Sequence, residues 1–293
     1  MADVLFVGVF SQNSTNVAQA RGFIRNGVSV AAYNYREKLN IFKTIEARDN
    51  NLISIIEKTR PKLTIFSKCN MMHERVLVAA KKVSHACLWY MDALHNMDDE
   101  LSKKIEICDT FISGVRGSLK EGLKYNKNGF FVEQCPDEKY NFKIENIKRK
   151  YVATFIGNIH GDIHKERIHF LSETPINHIR GAFGHEHNEI VNQTKINFNF
   201  SPTDRAGCSV RVHKILASGG FLMSTPWDGI EKSFEVGKEI VCFETKEQME
   251  QKMKYFLKNE KEREKIAAAG HRRVQEYMPD QWAKNILRHT IGL

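Results

Sequence analysis

Asp92 and His95 are the residues of the first half whose types and spacing fit acid–base work: a carboxylate and an imidazole three positions apart, directly after the apolar run Cys87 to Met91. At the end of a strand such a pair can accept a proton from an alcohol. An aspartate capping a turn beside an exposed histidine is the plainer reading of the same residues. In the second half, Gly157 opens the loop Gly157-Asn158-Ile159-His160-Gly161 after the apolar run Tyr151 to Ile156. A residue without a Cβ there lets the backbone come close to a phosphate. The polar stretch Ser11 to Asn16 opens a helix whose first amides can face an anion or a hydroxylated acceptor, with Ser11 and Ser14 as candidate contacts and helix capping as their plainer role. The 12 His and 6 Cys residues match no metal-ligand spacing, so neither a metal site nor a disulfide framework is expected.

The elements that must position these residues follow from the hydrophobic pattern. Asp3 to Phe10, Val28 to Tyr33, Lys62 to Ser67, Cys87 to Met91, Asp109 to Ser113 and Phe130 to Val132 read as short strands, most of them nearly continuous apolar runs. Helical spacing separates them, over Val17 to Ile24, Asn51 to Thr59, Met71 to Val83 and Gly114 to Lys124. That alternation predicts a doubly wound parallel sheet, which places Ser11, Lys68 and Asp92 at carboxyl strand ends along one edge. The same grammar restarts after a polar segment, Asn141 to Lys150, that suits an interdomain linker. Strands are then expected at Tyr151 to Ile156, Ile176 to Ile179, Ile196 to Phe200 and Phe221 to Met223, with helices at Lys165 to Ser172 and around Glu189 to Gln193. The stretch Ser209 to Thr225, SVRVHKILASGGFLMST, reads as a helix stopped at Gly219-Gly220 and followed by a buried strand, whose carboxyl end runs into the loop PWDGIEKSF.

With 293 residues, 42% hydrophobic and 27% charged, the chain has the composition of an ordinary globular protein of two domains. No apolar run approaches the roughly 20 residues of a membrane helix, and MADVLFVGVF has neither the basic start nor the cleavage site of a signal peptide, so a cytoplasmic location without membrane contact is expected. Residues 1–150 hold 24 Lys and Arg against 17 Asp and Glu, and carry most of the net charge of +9. Such a field attracts polyanions and also serves phosphorylated small molecules, although any single run such as Lys148-Arg149-Lys150 is more simply a solvated face.

One ordered set of motifs runs through the second half: FIGN at Phe155 to Asn158, INFNFSP, R-x-x-K-I-L-A-S-G-G from Arg211, KEIVCF and KEREKIAAAGHRRV. It resembles the spore-maturation-protein branch of the GT-B glycosyltransferases, of the group 1 type. The resemblance implies two Rossmann-like doubly wound parallel-sheet domains facing across a cleft: residues 1–145 on the acceptor side, residues 151–279 binding the nucleotide-sugar, and a closing helix from Asp280 to Leu293 that returns to the first domain. Carried over by position, Gly157 and Asn158 lie under the donor phosphates, Arg205 and Arg211 neutralise the diphosphate, Asp228, Gly229 and Ile230 stand beside the sugar, and Phe183 or His185 contacts the base. The nucleotide-sugar is then a co-substrate, and no cofactor or metal is implied.

Lys214 departs from the family pattern, which commonly has a glutamate there to accept hydrogen bonds from the ribose; the preceding aromatic position is His213. A lysine cannot accept such bonds. Altered donor chemistry, a lysine that reaches phosphate and loss of transfer compete as explanations. The reading taken forward is a hexosyl- or pentosyltransferase with arginines and backbone amides on the leaving group, and Asp92 as base if the anomeric centre is inverted. The acceptor stays open between a hydroxymethylated base in DNA, as in the DNA-modifying enzymes of bacteriophages, and a protein, glycan or small molecule. A non-catalytic nucleic-acid-binding protein on a degenerate scaffold of the same fold is the rival from another class.

Overall fold

The structure is a computed structural model that describes residues 2–92, 96–161, 164–202 and 204–293. It divides into two compact units: the residues up to Gln134 together with Pro279–Leu293, and Cys135–Met278. No helix among the described residues is long and apolar enough to cross a membrane.

The first unit is built on six parallel strands, β1 (Val4–Gly8), β2 (Val30–Asn34), β3 (Leu63–Ser67), β4 (His85–Tyr90), β5 (Thr110–Ser113) and β6 (Gly129–Phe131), in the order β2-β1-β3-β4-β5-β6. Every residue of β1 and β3 except Gly8 and Ser67 is apolar or Thr64, and both strands are buried along their whole length, as central strands of a parallel sheet must be. Helices α1 (Thr15–Arg25), α2 (Tyr35–Phe42), α3 (Ile45–Thr59), α4 (Arg75–Lys81), α5 (Asp99–Ile107) and α6 (Arg116–Gly122) make the crossovers. Strand order reverses between β1 and β3, and Asn16 closes that point: its Nδ2 donates to the Val9 carbonyl at 3.1 Å and its Oδ1 accepts from Ser67 Oγ at 3.0 Å. Lys68 and Asp92 follow the carboxyl ends of β3 and β4 on this edge.

The second unit repeats the plan with five parallel strands, β7 (Tyr151–Ile156), β8 (Asn177–Ile179), β9 (Thr194–Asn199), β10 (Leu222–Ser224) and β11 (Val241–Cys242), in the order β11-β10-β9-β7-β8. Its helices are α7 (Lys165–Leu171), α8 (Gly184–Asn192), α9 (Arg211–Ala217), α10 (Lys246–Lys258) and α11 (Glu260–Arg273). The reversal lies between β7 and β9, the position where open α/β sheets hold ligands. The polar stretch read as a linker belongs to this unit. The Phe142 and Ile144 amides donate to Asn188 Oδ1 and Asn192 Oδ1 at 3.1 and 2.8 Å, and Arg149 reaches the Thr194 carbonyl at 3.2 Å. Its low apolar content reflects attachment by backbone hydrogen bonds in place of an apolar face.

Helix α12 (Pro279–Thr290) returns the chain to the first unit and packs on α1. Trp282 is 1% exposed, stacked on Phe6 with centroids 6.3 Å apart and edge-on to Phe23 and Trp89 at 5.6 and 5.4 Å. Close approach requires Gly22, because a Cβ built there would stand 2.2 Å from the Pro279 carbonyl oxygen. Gly22→Ala is therefore expected to destabilise the fold by about 1–3 kcal/mol despite the better helix propensity of alanine. Denaturant unfolding checks this, and an unchanged midpoint would mean that α12 does not dock as described.

Candidate functional site

Arg211 is the first residue of α9, and its guanidinium ties together the two strand ends at the reversal of the second sheet. Nε donates to the Ile156 carbonyl at the end of β7 (2.7 Å), and Nη1 to Asn199 Oδ1 at the end of β9 (2.9 Å) and to Ser209 Oγ (3.2 Å). Its carbon sits 4.9 Å over the Phe155 ring. The remaining nitrogen, Nη2, lies against Gly157, where a Cβ would come within 2.5 Å of it, so the glycine is a steric requirement of the arginine. Among the described residues Nη2 has no hydrogen-bond partner, and no carboxylate stands within ion-pair distance of the guanidinium.

Burial and the neighbouring Arg167 push Arg211 down to about 9, and burial alone pushes Arg167 down to about 10. Guanidinium nonetheless stays protonated at neutral pH. Two cations thus sit in a poorly solvating environment without counter-charge among the described residues, a condition that an anionic ligand relieves. Arg167 also holds the glycine loop, with Nη1 donating to the Asn158 carbonyl at 2.6 Å and Nη2 to the Phe200 carbonyl at 3.2 Å. From the other side His178 Nε2 lies 2.8 Å from the Gly157 carbonyl.

The loop and α9 line a cavity of about 590 Å³ whose wall includes Gly157, Asn158, Phe183, His187, Arg211 and Lys214. Lys214, one turn after Arg211, is lowered by burial and by the Arg211 charge, and its ammonium makes no hydrogen bond among the described residues. His187 is pushed down to about 3, first by burial and then by Lys214 and Arg211, so it faces the cavity as neutral imidazole. Phe183 leaves 63% of its surface exposed at this wall, an aromatic face on which a planar ring can stack.

The other sequence candidates distribute differently. His185 is exposed and packs edge-on to Tyr140 and Phe142, with centroids 5.0 and 6.3 Å away; it is not part of the cavity wall. Two residues along a helix turn the side chain to another face, which is why His187 and not His185 lines the cavity. Arg205, with φ +51°, lines a separate hollow of about 290 Å³ beside Thr225 and Lys246, with Nη1 3.9 Å from a Glu244 carboxylate oxygen. The Asp228 amide donates to the Arg205 carbonyl at 2.8 Å, Gly229 takes φ +79°, and Ile230 is buried. Arg205 and the Asp228-Gly229-Ile230 turn therefore neighbour one another, and neither lines the Arg211 cavity. Arg167 and His187 are the site residues that sequence reasoning missed; a basic residue on the first helix after a glycine loop is the one signal for the former.

In the first unit Asp92 Oδ1 pairs with Lys68 Nζ at 2.5 Å, both groups about one-third exposed. The Ser118 hydroxyl donates to the Asp92 carbonyl at 3.0 Å. Lys68, Cys69 and Met71 all have positive φ, at +61°, +54° and +60°. Buried cations hold this loop: Lys104 Nζ donates to the Cys69 carbonyl (3.1 Å) and Arg48 Nη2 to the Met71 carbonyl (2.7 Å). Ser14 is committed to structure, donating to the Val9 carbonyl at 2.6 Å and accepting from the Asn16 amide at 3.3 Å as the cap of α1. The Ser11 side chain is exposed, and His95 lies outside the described residues.

Comparison with known proteins bears on both units. Residues 140–288, slightly more than half of the 293, match the glycosyl transferase-like family. No curated protein matches the chain by sequence. A glycosyltransferase from Rickettsia africae ESF-5 gives a TM-score of 0.66 at 12% identity over 98% of this chain and 97% of that one. Anabaena Alr3699/HepE in complex with UDP-glucose gives 0.68 at 7% identity over 98% and 99%. An alpha-glucosyltransferase in complex with UDP and a 13-mer DNA containing a HMU base gives 0.69 at 9% identity over 98% of each chain. At such identities the likeness is one of fold: the two parallel-sheet α/β domains are those of GT-B glycosyltransferases.

Proposed function

The chain belongs to the glycosyl transferase-like family, and from that premise we propose that it transfers a hexosyl or pentosyl group from a nucleotide-sugar to an acceptor hydroxyl. The observation that carries the donor half is Arg211: a guanidinium fixed by β7 and β9 at the sheet reversal, without a carboxylate partner among the described residues, and with Nη2 over Gly157. With Nε and Nη1 engaged, the N–H groups of Nη2 are the ones left to donate to phosphate oxygens, as charge-assisted hydrogen bonds. In transfer, the acceptor oxygen bonds to the anomeric carbon and the bond from that carbon to the diphosphate oxygen breaks. The electron pair leaves with the diphosphate, where Arg211 and Lys214 stabilise it. If the centre is inverted, the acceptor proton goes to Asp92. These cations supply the leaving-group stabilisation that a divalent ion gives in other transferases, so turnover is expected to survive a chelator. The ordered motifs FIGN, INFNFSP and R-x-x-K-I-L-A-S-G-G support placing the chain in the spore-maturation-protein branch of the family.

For the acceptor, the excess of 24 Lys and Arg over 17 Asp and Glu in residues 1–150 supports a polyanion. The solved structure of similar fold that contains HMU-bearing DNA supports a hydroxymethylated base within it. Such a base has to leave the helical stack to react. The test incubates the chain with nucleotide-sugars and duplex DNA carrying either hydroxymethylated or unmodified bases. Expected are nucleoside diphosphate release and a one-sugar mass increase for the hydroxymethylated duplex alone, falling steeply with salt. Donor turnover that ignores DNA would move the acceptor to a protein, glycan or small molecule; no turnover or binding of any nucleotide-sugar would overturn transfer itself.

A further inference from the structure

Where β7 runs into the glycine loop, three consecutive carbonyls are each taken by a different side chain. Ile156 accepts from Arg211 Nε at 2.7 Å, Gly157 lies 2.8 Å from His178 Nε2, and Asn158 accepts from Arg167 Nη1 at 2.6 Å. One buried ring carries all three donors. The guanidinium carbons of Arg211 and Arg167 sit 4.9 and 5.5 Å over Phe155, and the His178 imidazole stacks on the same ring at 5.7 Å, 25° from coplanar. A carbonyl only accepts, so His178 Nε2 carries the proton of its contact. The Gly157 amide donates to the Ile179 carbonyl at 3.0 Å, so both backbone groups of Gly157 are engaged on the β8 side. No peptide bond among the described residues is cis, and in a trans peptide the N–H points away from the carbonyl of the same plane. The Asn158 N–H, which shares its plane with the Gly157 carbonyl, is thereby turned toward β9, the other neighbour of β7, on the side where the Arg211 guanidinium bridges the two strands. Among the described residues this amide has no acceptor, and Gly157 and Asn158 both line the cavity.

Position 157 has to be glycine to leave room for Arg211 Nη2, and a glycine does little to fix the peptide plane that follows it. An external hold on that plane is what His178 supplies. We infer that His178 is a positioning residue for the donor diphosphate: by holding the Gly157 carbonyl it aims the Asn158 N–H into the cavity, where this amide and Arg211 Nη2 bind diphosphate oxygens together. Such a fixed pair of donors needs no reorganisation as charge develops on the leaving group. The inference rests on the reading of the cavity as the donor site, and adds which group of the glycine loop meets the anion and what keeps it there. His178 itself does not line the cavity and acts only through the peptide plane.

The test titrates inorganic pyrophosphate and the uridine, cytidine, adenosine and guanosine diphosphates into the full chain and its His178 variants by calorimetry. His178→Leu keeps an apolar group against Phe155 and removes the donor. It is expected to weaken pyrophosphate and every diphosphate that binds by a common factor of about ten, the loss of one hydrogen bond to an anion. His178→Gln, whose amide nitrogen stands as many bonds from Cβ as the ring Nε2, is expected to bind within about threefold of the unmodified chain. His178→Asn is too short to reach the carbonyl and is expected to lose as much as His178→Leu. It decides the matter should the leucine variant fail to fold, melting curves reporting which variants do. A merely structural role gives no such division between the two amides. Pyrophosphate affinity within about twofold of the unmodified chain in folded His178→Leu or His178→Asn, or equal losses in the Asn and Gln variants, overturns the positioning role while leaving the donor cavity in place. Absence of binding by pyrophosphate and every diphosphate to the unmodified chain overturns the donor reading and the positioning role together.

Discussion

Arg211→Met lowers the rate of sugar transfer by about 10²–10³-fold, the loss expected when one preorganised donor to a developing anion is removed. Such a residue also has a structural role, so the two consequences have to be separated. Methionine leaves the Ile156 carbonyl and Asn199 Oδ1 without the donors that lie 2.7 and 2.9 Å away, which costs about 1–3 kcal/mol per buried acceptor left unpaired. The same change removes a buried cation that stands beside Arg167 without a carboxylate, and this works in the opposite direction. The terms are of similar size, so the melting temperature should move by only a few degrees while turnover collapses. Arg211→Lys keeps the charge but cannot span both strand ends, and falls between the two. Steady-state kinetics at saturating acceptor, read beside thermal unfolding, decide the matter: transfer within fivefold of the unmodified chain in a folded Arg211→Met protein would remove this residue from the chemistry.

Much of the framework that holds Arg211 could be read from the residues. Continuous apolar runs such as Val4–Gly8 and Leu63–Ser67 are buried on both faces, and a central parallel strand has few other solutions for such a run. Helix α2 went unread although Tyr35, Leu39 and Phe42 recur at helical spacing, because two turns directly after a strand are too short a stretch to separate from a loop, and only Tyr35 is fully buried. The stretch 141–150 misled for a related reason: a segment fastened through Asn188 and Asn192 looks like a linker in composition. Within the site, Gly157 and Arg211 were legible through their motifs, but their contact joins residues 54 positions apart, and only the sheet order brings β7 beside β9. Arg205 and Arg211 are six positions apart, and a left-handed turn at the former sends the two guanidiniums to different hollows. Arg167 looks like one more surface cation in KERIHF; that it is 5% exposed and grips two carbonyls is a property of the fold.

Asp92→Asn is expected to cut turnover by about 10²–10⁴-fold, the range for loss of a general base, and to leave affinity for the nucleotide-sugar unchanged, since the donor cavity is built wholly from the second unit. The surroundings of Asp92 support a positioned group over a chance surface carboxylate. Three non-glycine residues in the four positions from Lys68 to Met71 hold left-handed conformations, each costing on the order of 1–3 kcal/mol, and Lys104 and Arg48 are buried to keep them there. The result of that strain is an ammonium placed 2.5 Å from Asp92 Oδ1, while Oδ2 has no partner among the described residues and is the oxygen able to take a proton. Asparagine preserves the shape and can still accept from Lys68 through its carbonyl, but it offers no basic oxygen. Lys68→Met, by contrast, leaves the base and removes its anchor, so a smaller loss, about tenfold, is expected. Paired kinetic and donor-binding measurements on the two variants separate the roles. Full turnover in Asp92→Asn would mean that the reaction proceeds with retention or draws its base from elsewhere, and Lys68 would then be holding a structural carboxylate.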